Sequence, residues 1–196
     1  MKNLVISFKI FVFFTILIGV IYPLLMTVIA QLGFSRKANG SLVRKNNELI
    51  GSMLIGQQFD SAVYFTSRPS AILYDPLPSG GSNYGLTNAN LKNQVVERRK
   101  RFVIFNQLDS LVNIPSEMLF ASASGLDPHI SPKAALIQVE RVTKARNFND
   151  YQKKRLIQCI KDLTELPQFS LLGEERINVF LLNLKLDELQ TTWTHN

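Results

Sequence analysis

The feature that most constrains this 196-residue chain is an uncharged stretch near its N-terminus. From Ile10 to Phe34 there are 25 consecutive positions without Asp, Glu, Lys or Arg. As an α-helix this stretch would be about 37 Å long, whereas the hydrocarbon core of a bilayer is about 30 Å thick. The sequence therefore predicts a transmembrane helix at residues 10–34, preceded by a short tail at residues 1–9.

A cleaved signal peptide is the alternative interpretation of the same stretch. Val28 and Ala30 are small residues spaced like those that precede a cleavage site, here before Gln31. The apolar part of a signal peptide is about 7 to 15 residues long, and this run is nearly twice that. Its length favours a retained membrane anchor.

Small residues recur along one side of the predicted membrane helix. Pro23 cannot donate a backbone hydrogen bond to the carbonyl of Gly19, so we expect a kink there. At 100° per residue, five positions fall within about 120° of one another: Thr15, Gly19, Pro23, Thr27 and Ala30. Such a stripe lets another helix approach closely, although small residues are also common in membrane helices in general.

The charges that flank the helix bear on its orientation. Lys2 and Lys9 lie on the N-terminal side, and four basic residues follow the helix: Arg36, Lys37, Arg44 and Lys45. By the positive-inside rule this count places the remainder of the chain in the cytoplasm. Long domains translocate largely regardless of charge, so the opposite orientation stays open.

Residues 35–196 are expected to form one soluble domain of the α+β class, because predicted strands and helices do not alternate regularly. Asn39–Ile50 predicts a β-hairpin that turns at Asn46 and Asn47, and Met53–Phe59 predicts a third strand. Three prolines make Arg68–Pro78 irregular.

A last strand is predicted at Arg176–Leu184, followed by one helical turn in the sequence LDELQ.

A helix is expected to begin after Asn88, a good N-cap residue. Its apolar residues recur at helical spacing: Leu91, Val95, Phe102 and Phe105. Glu97 and Arg101 are placed for an i to i+4 ion pair. The basic run Arg98–Arg101 is interpreted mainly as a solvated face, with lipid headgroups or an acidic partner as the alternative and nucleic acid disfavoured.

Two further helices are indicated by their capping residues. Ser131 followed by Pro132 predicts a helix start, with Ala135, Val139 and Val142 as its buried stripe. Asn149 with Gln152 forms a capping-box pattern. The helix that follows is expected to bury three apolar residues: Leu156, Ile160 and Leu163.

Catalytic chemistry is sparse in the sequence. Cys159 is the only cysteine, which excludes an internal disulfide and a four-thiolate metal site. His129 and His195 are the only histidines. Asp127 and His129 could share a metal, but a turn leading into the following helix is the favoured interpretation. The net charge of +7 is modest and concentrates only at Arg98–Arg101, which disfavours nucleic acid as a partner.

The sequence SGGSNYGLTN at Ser79–Asn88 raises a separate question. Its glycines permit close backbone approach and positive φ, and the backbone amides of Gly80, Gly81 and Ser82 with Asn83 could form an anion-binding nest. It lacks the Lys-Ser/Thr ending of a P-loop. The alternative, favoured by composition alone, is a turn-rich loop.

Several motifs, in order, resemble the KdpC family, the small subunit of bacterial Kdp potassium-transporting P-type ATPases. They extend from the membrane helix to the C-terminal NVFLLNLKLDEL: YPLL (22–25), ANGSL (38–42), GSMLIGQQF (51–59), YFTSRPSA (64–71), SGGSNYGLTN (79–88) and SASGLDPHISPKAA (122–135). The resemblance implies a non-catalytic accessory subunit needed for assembly and stability of an ATP-driven potassium importer in the bacterial inner membrane. The absence of a DKTG phosphorylation motif agrees with this.

The resemblance also implies the partners. They are a channel-like potassium-conducting subunit, a P-type ATPase subunit and membrane lipid, with a very short membrane peptide as a further candidate. ATP with magnesium, and potassium, would be handled by those partners, and this chain would hold no cofactor or metal of its own.

Two family mechanisms place the domain on opposite sides of the membrane. In one, the subunit is a catalytic chaperone that raises the ATP affinity of the pump subunit, and its nucleotide site would be Ser79, Gly80, Gly81, Ser82 and Asn83. In the other, favoured here, the domain lies outside the cytoplasm as a cap beside the potassium-conducting subunit, and the loop is a packing element. Pro78 and Asn83 depart from the ABC-transporter signature to which the loop is compared.

Two functions of other classes remain as alternatives. One is a membrane-anchored extracytoplasmic binding module with an anion-binding Gly/Ser/Asn loop. The other is an anchored hydrolase, which the lack of a paired nucleophile and base disfavours.

Overall fold

The computed structural model describes residues 2–45 and 47–194, with side chains described as far as Thr191. The chain divides into two units between Ser52 and Met53. The first unit contains α1 (Lys2–Ile16), a π-helical turn (Leu17–Ile21), α2 (Tyr22–Ala38), β1 (Leu42–Lys45) and β2 (Glu48–Ser52). The second contains α3 (Ala89–Asn106), a 3₁₀ turn (Ser116–Met118), β3 (His129–Ile130), α4 (Pro132–Ala145), α5 (Asp150–Asp162), β4 (Ile177–Asn178) and α6 (Val179–Thr194). The predicted α+β class is confirmed.

The apolar N-terminal stretch is helical from Lys2 to Ala38, and it is long and apolar enough to cross a membrane. No side chain of α1 or α2 is buried. The irregularity expected at Pro23 is a π-helical turn just before it, in which Tyr22 N–H donates to the carbonyl of Leu17. A second irregularity lies at Phe34, where φ is −140° and ψ is 35°.

The π-helical turn changes how the stripe of small residues is arranged. Residues bonded i to i+5 turn by less than the 100° per residue assumed in the sequence analysis, and Gly19 lies among them. Pro23, Thr27 and Ala30 all lie in α2, so they keep a common face. The hydroxyl of Thr27 donates to the carbonyl of Pro23 at 2.8 Å and therefore adds little polarity to that face.

The predicted hairpin is confirmed, because β1 and β2 pair antiparallel and Asn47 takes a φ of +67° at the turn. Asn46 lies outside the described residues. The strand predicted at Met53–Phe59 is wrong. There the carbonyl of Met53 accepts from the Asn178 side-chain amide at 2.7 Å, and Gly56 N–H donates to the carbonyl of Leu126, which lies in a loop.

All three predicted helix starts in the second unit are confirmed. The side chain of Asn88 accepts from Asn90 N–H, and that of Ser131 accepts from Ala134 N–H. Asn149 and Gln152 form a reciprocal capping box with both bonds at 2.9 Å. These caps satisfy backbone donors that the first helical turn leaves free, so they could be found from the sequence alone.

The core of the second unit is built on α4, which packs against α3 and α5, while α5 packs against α6. The predicted stripe of Ala135, Val139 and Val142 is buried, and so are Leu156 and Ile160 of α5. Of the apolar residues predicted for α3, Phe102 is buried and Leu91, Val95 and Phe105 are half-buried. Leu163, predicted for α5, is also half-buried.

The strand predicted at Arg176–Leu184 is wrong beyond its first residues. Only Ile177–Asn178 is extended, and it pairs antiparallel with His129–Ile130. The side chain of Asn178 then accepts from Leu181 N–H and starts α6. Buried residues recur at helical spacing from there, as Val179, Leu182 and Leu186. The predicted turn LDELQ is part of this longer helix.

Two expectations for the basic face of α3 are also corrected. Glu97 pairs with Lys100, at 3.4 Å, and not with Arg101. Arg98 and Arg99 are not simply solvated: each donates to carbonyls of the connection that follows α3. The carbonyls are those of Leu119, Ser110 and Val112, so half of the basic run anchors a loop.

A segment at residues 61–66, here called the clamped segment, has no strand partner. It begins with a turn, in which Tyr64 N–H donates to the carbonyl of Ser61 at 3.1 Å. The guanidinium of Arg141, only 3% exposed, donates to the carbonyls of Ala62 and Tyr64. The same group donates to Asn106 Oδ1 at 2.9 Å and stacks 4.4 Å from the centre of the Phe105 ring. Burial lowers the pKa of Arg141 to about 10, so the guanidinium is charged at neutral pH.

Side-chain amides take the role of a neighbouring strand along the clamped segment. Asn183 accepts from Phe65 N–H at 2.8 Å and donates to the Phe65 carbonyl at 2.9 Å. Gln138 makes the equivalent pair of bonds with Thr66. Because the backbone is satisfied in this way, the fully buried ring of Phe65 can sit in the core.

Arg146 also binds the clamped segment. It donates to the carbonyl of Val63 at 2.7 Å and pairs with Asp187 at 2.8 Å. The hydroxyl of Tyr64 also donates to Asp187, at 3.1 Å. Helices α4 and α6 therefore both hold the clamped segment through polar side chains.

Replacing Arg141 with Ala is expected to destabilise the second unit by about 3 kcal/mol or more, since buried carbonyls and the Asn106 amide lose their donor. The measurement is urea unfolding of the full chain in mild detergent. Arg155→Ala, at an exposed position of α5, is the control and should change the unfolding free energy by less than about 0.5 kcal/mol. Equal effects of the two substitutions would contradict the clamp.

Candidate functional site

Three loops that carry the sequence motifs lie side by side in the second unit. This loop cluster comprises residues 67–74, 79–83 and 122–127. Gly80 N–H donates to the carbonyl of Ser124 at 3.1 Å, and Ser122 N–H donates to the carbonyl of Pro69 at 3.1 Å. The segment that was predicted to be a third strand joins them, because Gly56 N–H donates to the carbonyl of Leu126 at 2.7 Å.

The loop Ser79–Asn83 is shaped differently from the expectation of positive φ at its glycines. Neither Gly80 nor Gly81 has a positive φ, and the left-handed residue is Asn83, with φ +53°. Gly81 is needed for close approach, since a Cβ there would lie 3.0 Å from the carbonyl oxygen of Ala123. Gly80 has open space at the same position, but its N–H is already bonded to Ser124.

Gly125 is the glycine with positive φ in the loop cluster, at +71°. A Cβ at Gly125 would lie 2.4 Å from Ile72 Cγ1 and 2.9 Å from the carbonyl oxygen of Gly80. The SASG motif therefore provides the position at which the other two loops meet.

Tyr74 closes the first loop of the cluster. Its half-buried hydroxyl donates to the carbonyl of Arg68, and burial raises its pKa to about 12. The phenol therefore stays neutral and keeps donating. Leu73 and Tyr74 both have positive φ, and the hydroxyl of Ser70 accepts from Tyr74 N–H at 3.0 Å to hold this turn.

Charged side chains meet where the loop cluster leads into β3. Arg68 pairs with Asp127 at 2.7 Å, and Asp127 also accepts from His129 N–H at 3.0 Å. The imidazole Nδ1 of His129 lies 3.3 Å from the same carboxylate. Burial alone would raise the pKa of Asp127, but the hydrogen bonds from His129 and Arg68 outweigh it and lower the pKa to about 2.

This cluster stabilises a turn and does not resemble a catalytic pair. The Asp127 carboxylate is occupied by a guanidinium and a backbone N–H at the turn that leads toward α4, as the sequence analysis favoured. Among the described residues, no hydroxyl or thiol is hydrogen-bonded to the His129 imidazole. His195 lies outside the described residues. Among the residues that the structure describes, no group of three or more His, Cys, Asp or Glu is placed to hold a metal.

A groove of about 700 Å³ runs beside the charged cluster. One wall carries Arg68, Asp127 and His129, and the facing wall is formed by the connection between α5 and β4. The carboxylates of Glu174 and Glu175 lie on that second wall. The sequence analysis singled out neither Arg68 nor this wall, because both depend on contacts between residues far apart in the chain.

A second groove follows the basic face of α3, where Arg98 and Arg101 line it together with residues 58–60 and 66–70. It continues into an apolar part lined by Phe102, Ile104, Phe105 and Met118. Arg98 is half-buried, and its pKa is lowered by burial and by the neighbouring Arg101 charge.

One helix that could span a membrane, joined to a folded α+β unit, is the architecture of a single-span membrane subunit. Comparison with known proteins agrees with this class. The family model for KdpC, described as "K+-transporting ATPase, c chain", matches residues 4–188. This chain therefore belongs to the KdpC family, and as a subunit of a Kdp ATPase it forms a complex with other Kdp subunits.

Curated relatives support the same assignment. The potassium-transporting ATPase KdpC subunit of Geotalea uraniireducens is 45% identical over 193 residues, covering 96% of this chain and 99% of the relative. The KdpC subunit of Photorhabdus laumondii is 44% identical, with 93% and 94% covered. That of Acidobacterium capsulatum is 46% identical, with 89% and 91% covered.

Three glycine substitutions test the packing of the loop cluster. Gly56→Ala should destabilise most, because its Cβ would lie 2.7 Å from the backbone oxygen of Asp127, and Gly81→Ala should destabilise by about 1 kcal/mol. Gly80→Ala, with open space, is the matched control and should cost less than about 0.5 kcal/mol. Thermal unfolding of the full chain in detergent measures all three, and a reversed order would disprove this packing.

The Asp127 carboxylate predicts a specific acid sensitivity. Its folded pKa is about 2, below the ordinary value of 3.8, so its stabilisation is complete above about pH 4 and is lost as the pH falls toward 2. Asp127→Asn should lower stability at neutral pH and flatten the loss between pH 4 and pH 2. Asp162→Asn, at an exposed position of α5, should keep the wild-type profile. The measurement is the unfolding free energy of each variant between pH 4 and pH 2. If its slope against pH is the same in Asp127→Asn as in the wild type, Asp127 is not the source of the acid sensitivity.

Proposed function

We propose that this chain is a non-catalytic accessory subunit that the potassium-transporting ATPase needs for its assembly and stability. The observation that carries the proposal is the N-terminal helix. All of its large apolar side chains except the half-buried Val12 are exposed, and nothing described in this chain covers them. Such a surface requires lipid, helices of other subunits, or both. The match to the KdpC family over residues 4–188 supports taking these as other subunits of the Kdp ATPase.

The membrane helix would act as a permanent anchor in the bacterial inner membrane. Its face of Pro23, Thr27 and Ala30 would pack against a helix of another subunit, where small residues permit close approach. Gly19, within the π-helical turn, and Thr15, in α1, would extend this contact.

The folded unit would lie outside the cytoplasm, beside the channel-like potassium-conducting subunit. This follows the resemblance and goes against the count of flanking charges, which is acceptable because long domains translocate largely regardless of charge. ATP with magnesium, and potassium, would then be handled by the partner subunits.

The catalytic-chaperone role is the competing mechanism, in which Ser79–Asn83 contacts ATP. Two observations favour a packing role for this loop instead. The Gly80 N–H already donates to the Ser124 carbonyl, so it is not available to a phosphate nest, and Gly81 packs closely against the backbone of Ala123. Saturable binding of ATP to the purified full chain, lost in Ser82→Ala, would favour the chaperone role or the anion-binding alternative.

Purification of the affinity-tagged chain from detergent-solubilised membranes tests the assembly role. The P-type ATPase subunit and the potassium-conducting subunit should come with it in constant ratio, and ATPase activity in membranes that lack the chain should be low. Recovery of the chain alone, with the pump active and intact without it, would overturn the proposal.

A pair of substitutions tests the packing face of the membrane helix. Ala30→Leu places bulk on the small-residue face and should reduce the co-purified pump subunit several-fold. Val28→Leu adds bulk about 160° away on the same helix and is the matched control. Quantitative immunoblots of the purified material compare the two. The face is wrongly assigned if both variants retain the pump subunit equally.

A further inference from the structure

The connection between α5 and β4 forms a small hairpin, here called the tip hairpin (residues 165–176). At its base, Glu165 and Arg176 exchange backbone hydrogen bonds of 2.8 and 3.1 Å, and their side chains pair at 2.9 Å. Nearer the tip, Gln168 and Leu172 exchange two bonds of 2.9 Å. The segment therefore has a defined shape even though it contributes little to the core.

The tip hairpin exposes large apolar side chains next to one another. The exposed fractions are 70% for Leu166, 88% for Phe169, 85% for Leu171 and 63% for Leu172. Single exposed apolar residues are common on protein surfaces, but four within seven positions of one tight hairpin form a patch. Such patches are typical of surfaces that bind a protein or a membrane.

The backbone at the tip makes this exposure more unusual. Phe169 and Ser170 have φ values of +55° and +59°, which describes a turn that ordinarily favours Asn and Gly. A bulky aromatic residue is disfavoured there. Its presence at the most exposed point of a well-bonded hairpin indicates that the Phe169 ring serves a contact outside this chain.

The charges around the tip define what that contact requires. Glu174 and Glu175 are exposed, and neither forms an ion pair with any of the described residues. They line the groove of about 700 Å³ whose opposite wall carries Arg68, Asp127 and His129. A surface that covers this patch must supply an apolar pocket, positive charges at its rim and polar groups facing the groove.

We propose that the tip hairpin is the docking element of the folded unit, inserting Phe169 and Leu171 into an apolar pocket of a neighbouring ATPase subunit. The rim of that pocket carries Lys or Arg side chains that face Glu174 and Glu175. This inference rests on the proposed function, because it assumes that the folded unit binds another subunit.

Two other occupants fit the observations less well. The interior of a bilayer cannot satisfy the polar walls of the groove, and anionic headgroups would repel the two carboxylates. A second copy of this chain offers an apolar groove with Arg98 and Arg101 at its edge. Pairing a tip with that groove would be head-to-tail, and such contacts build open chains unless the rotation closes a ring.

Phe169→Asp in the full chain should reduce the co-purified ATPase subunits about tenfold or more while leaving thermal unfolding unchanged, since the ring is 88% exposed. Leu111→Asp, at a position 89% exposed elsewhere on the same unit, is the matched control and should behave like the wild type. The double variant Glu174→Lys with Glu175→Lys should also co-purify less of the ATPase subunits than the wild type. The reduction should grow as the salt concentration is lowered, because positive charges then face each other with less screening.

A photo-crosslinking residue introduced at position 169, with position 111 as the control, identifies the occupant in membranes. A crosslink to a partner ATPase subunit supports the proposal. A crosslink to a second copy, labelling of lipid, or no protein adduct overturns it.

These results separate the two proposals. If wild type and Phe169→Asp recover the pump subunits equally, the docking element is wrong and the assembly role stands. If the wild type itself recovers no pump subunit, the assembly role is wrong.

Discussion

The second unit depends on the way polar side chains of α4 and α6 hold the clamped segment. Residues 61–66 have no neighbouring strand, and beyond the turn bond from Tyr64 N–H to the Ser61 carbonyl their buried backbone groups need partners from side chains. Asn183 and Gln138 supply paired bonds to Phe65 and Thr66, and Arg141 binds two carbonyls. A buried charge is costly unless it is fully hydrogen-bonded. The Arg141 guanidinium therefore stabilises the unit only while all of its partners stay in place.

The clamped segment in turn positions the loop cluster. It leads directly into Arg68, whose guanidinium reaches Asp127 and so ties the first loop to the turn before α4. Gly56, Gly81 and Gly125 let these loops approach at backbone distance. The carboxylate and the arginine are thus used to hold loops together, whereas the tip hairpin carries four exposed apolar side chains within seven positions. This distribution fits a protein that works by attachment.

Local features could be predicted from the sequence, and long-range ones could not. The apolar helix, the hairpin at Asn47 and the caps Asn88, Ser131 and Asn149 depend on neighbours within a few residues, and all were identified. The strand predicted at Arg176–Leu184 was wrong because a run of apolar residues without alternation fits a strand or a buried helix equally well. The buried positions of α4 and α6 include three polar residues, Gln138, Arg141 and Asn183. Polar residues on otherwise apolar helix faces are the sequence feature that could have indicated the clamp. The sequence could not show which backbone they bind.

The docking role is tested most directly by finding the compartment of the folded unit in living cells. Two reporters can each be fused after Asn196. Alkaline phosphatase is active only outside the cytoplasm, whereas green fluorescent protein fluoresces in the cytoplasm and does not fluoresce after export by the general secretion route. We predict active phosphatase and no fluorescence, which would remove ATP from the reach of Ser79–Asn83. Fluorescent cells with inactive phosphatase would contradict the extracytoplasmic docking role. They would also place Ser79–Asn83 in the compartment that contains ATP and so favour the nucleotide-binding role.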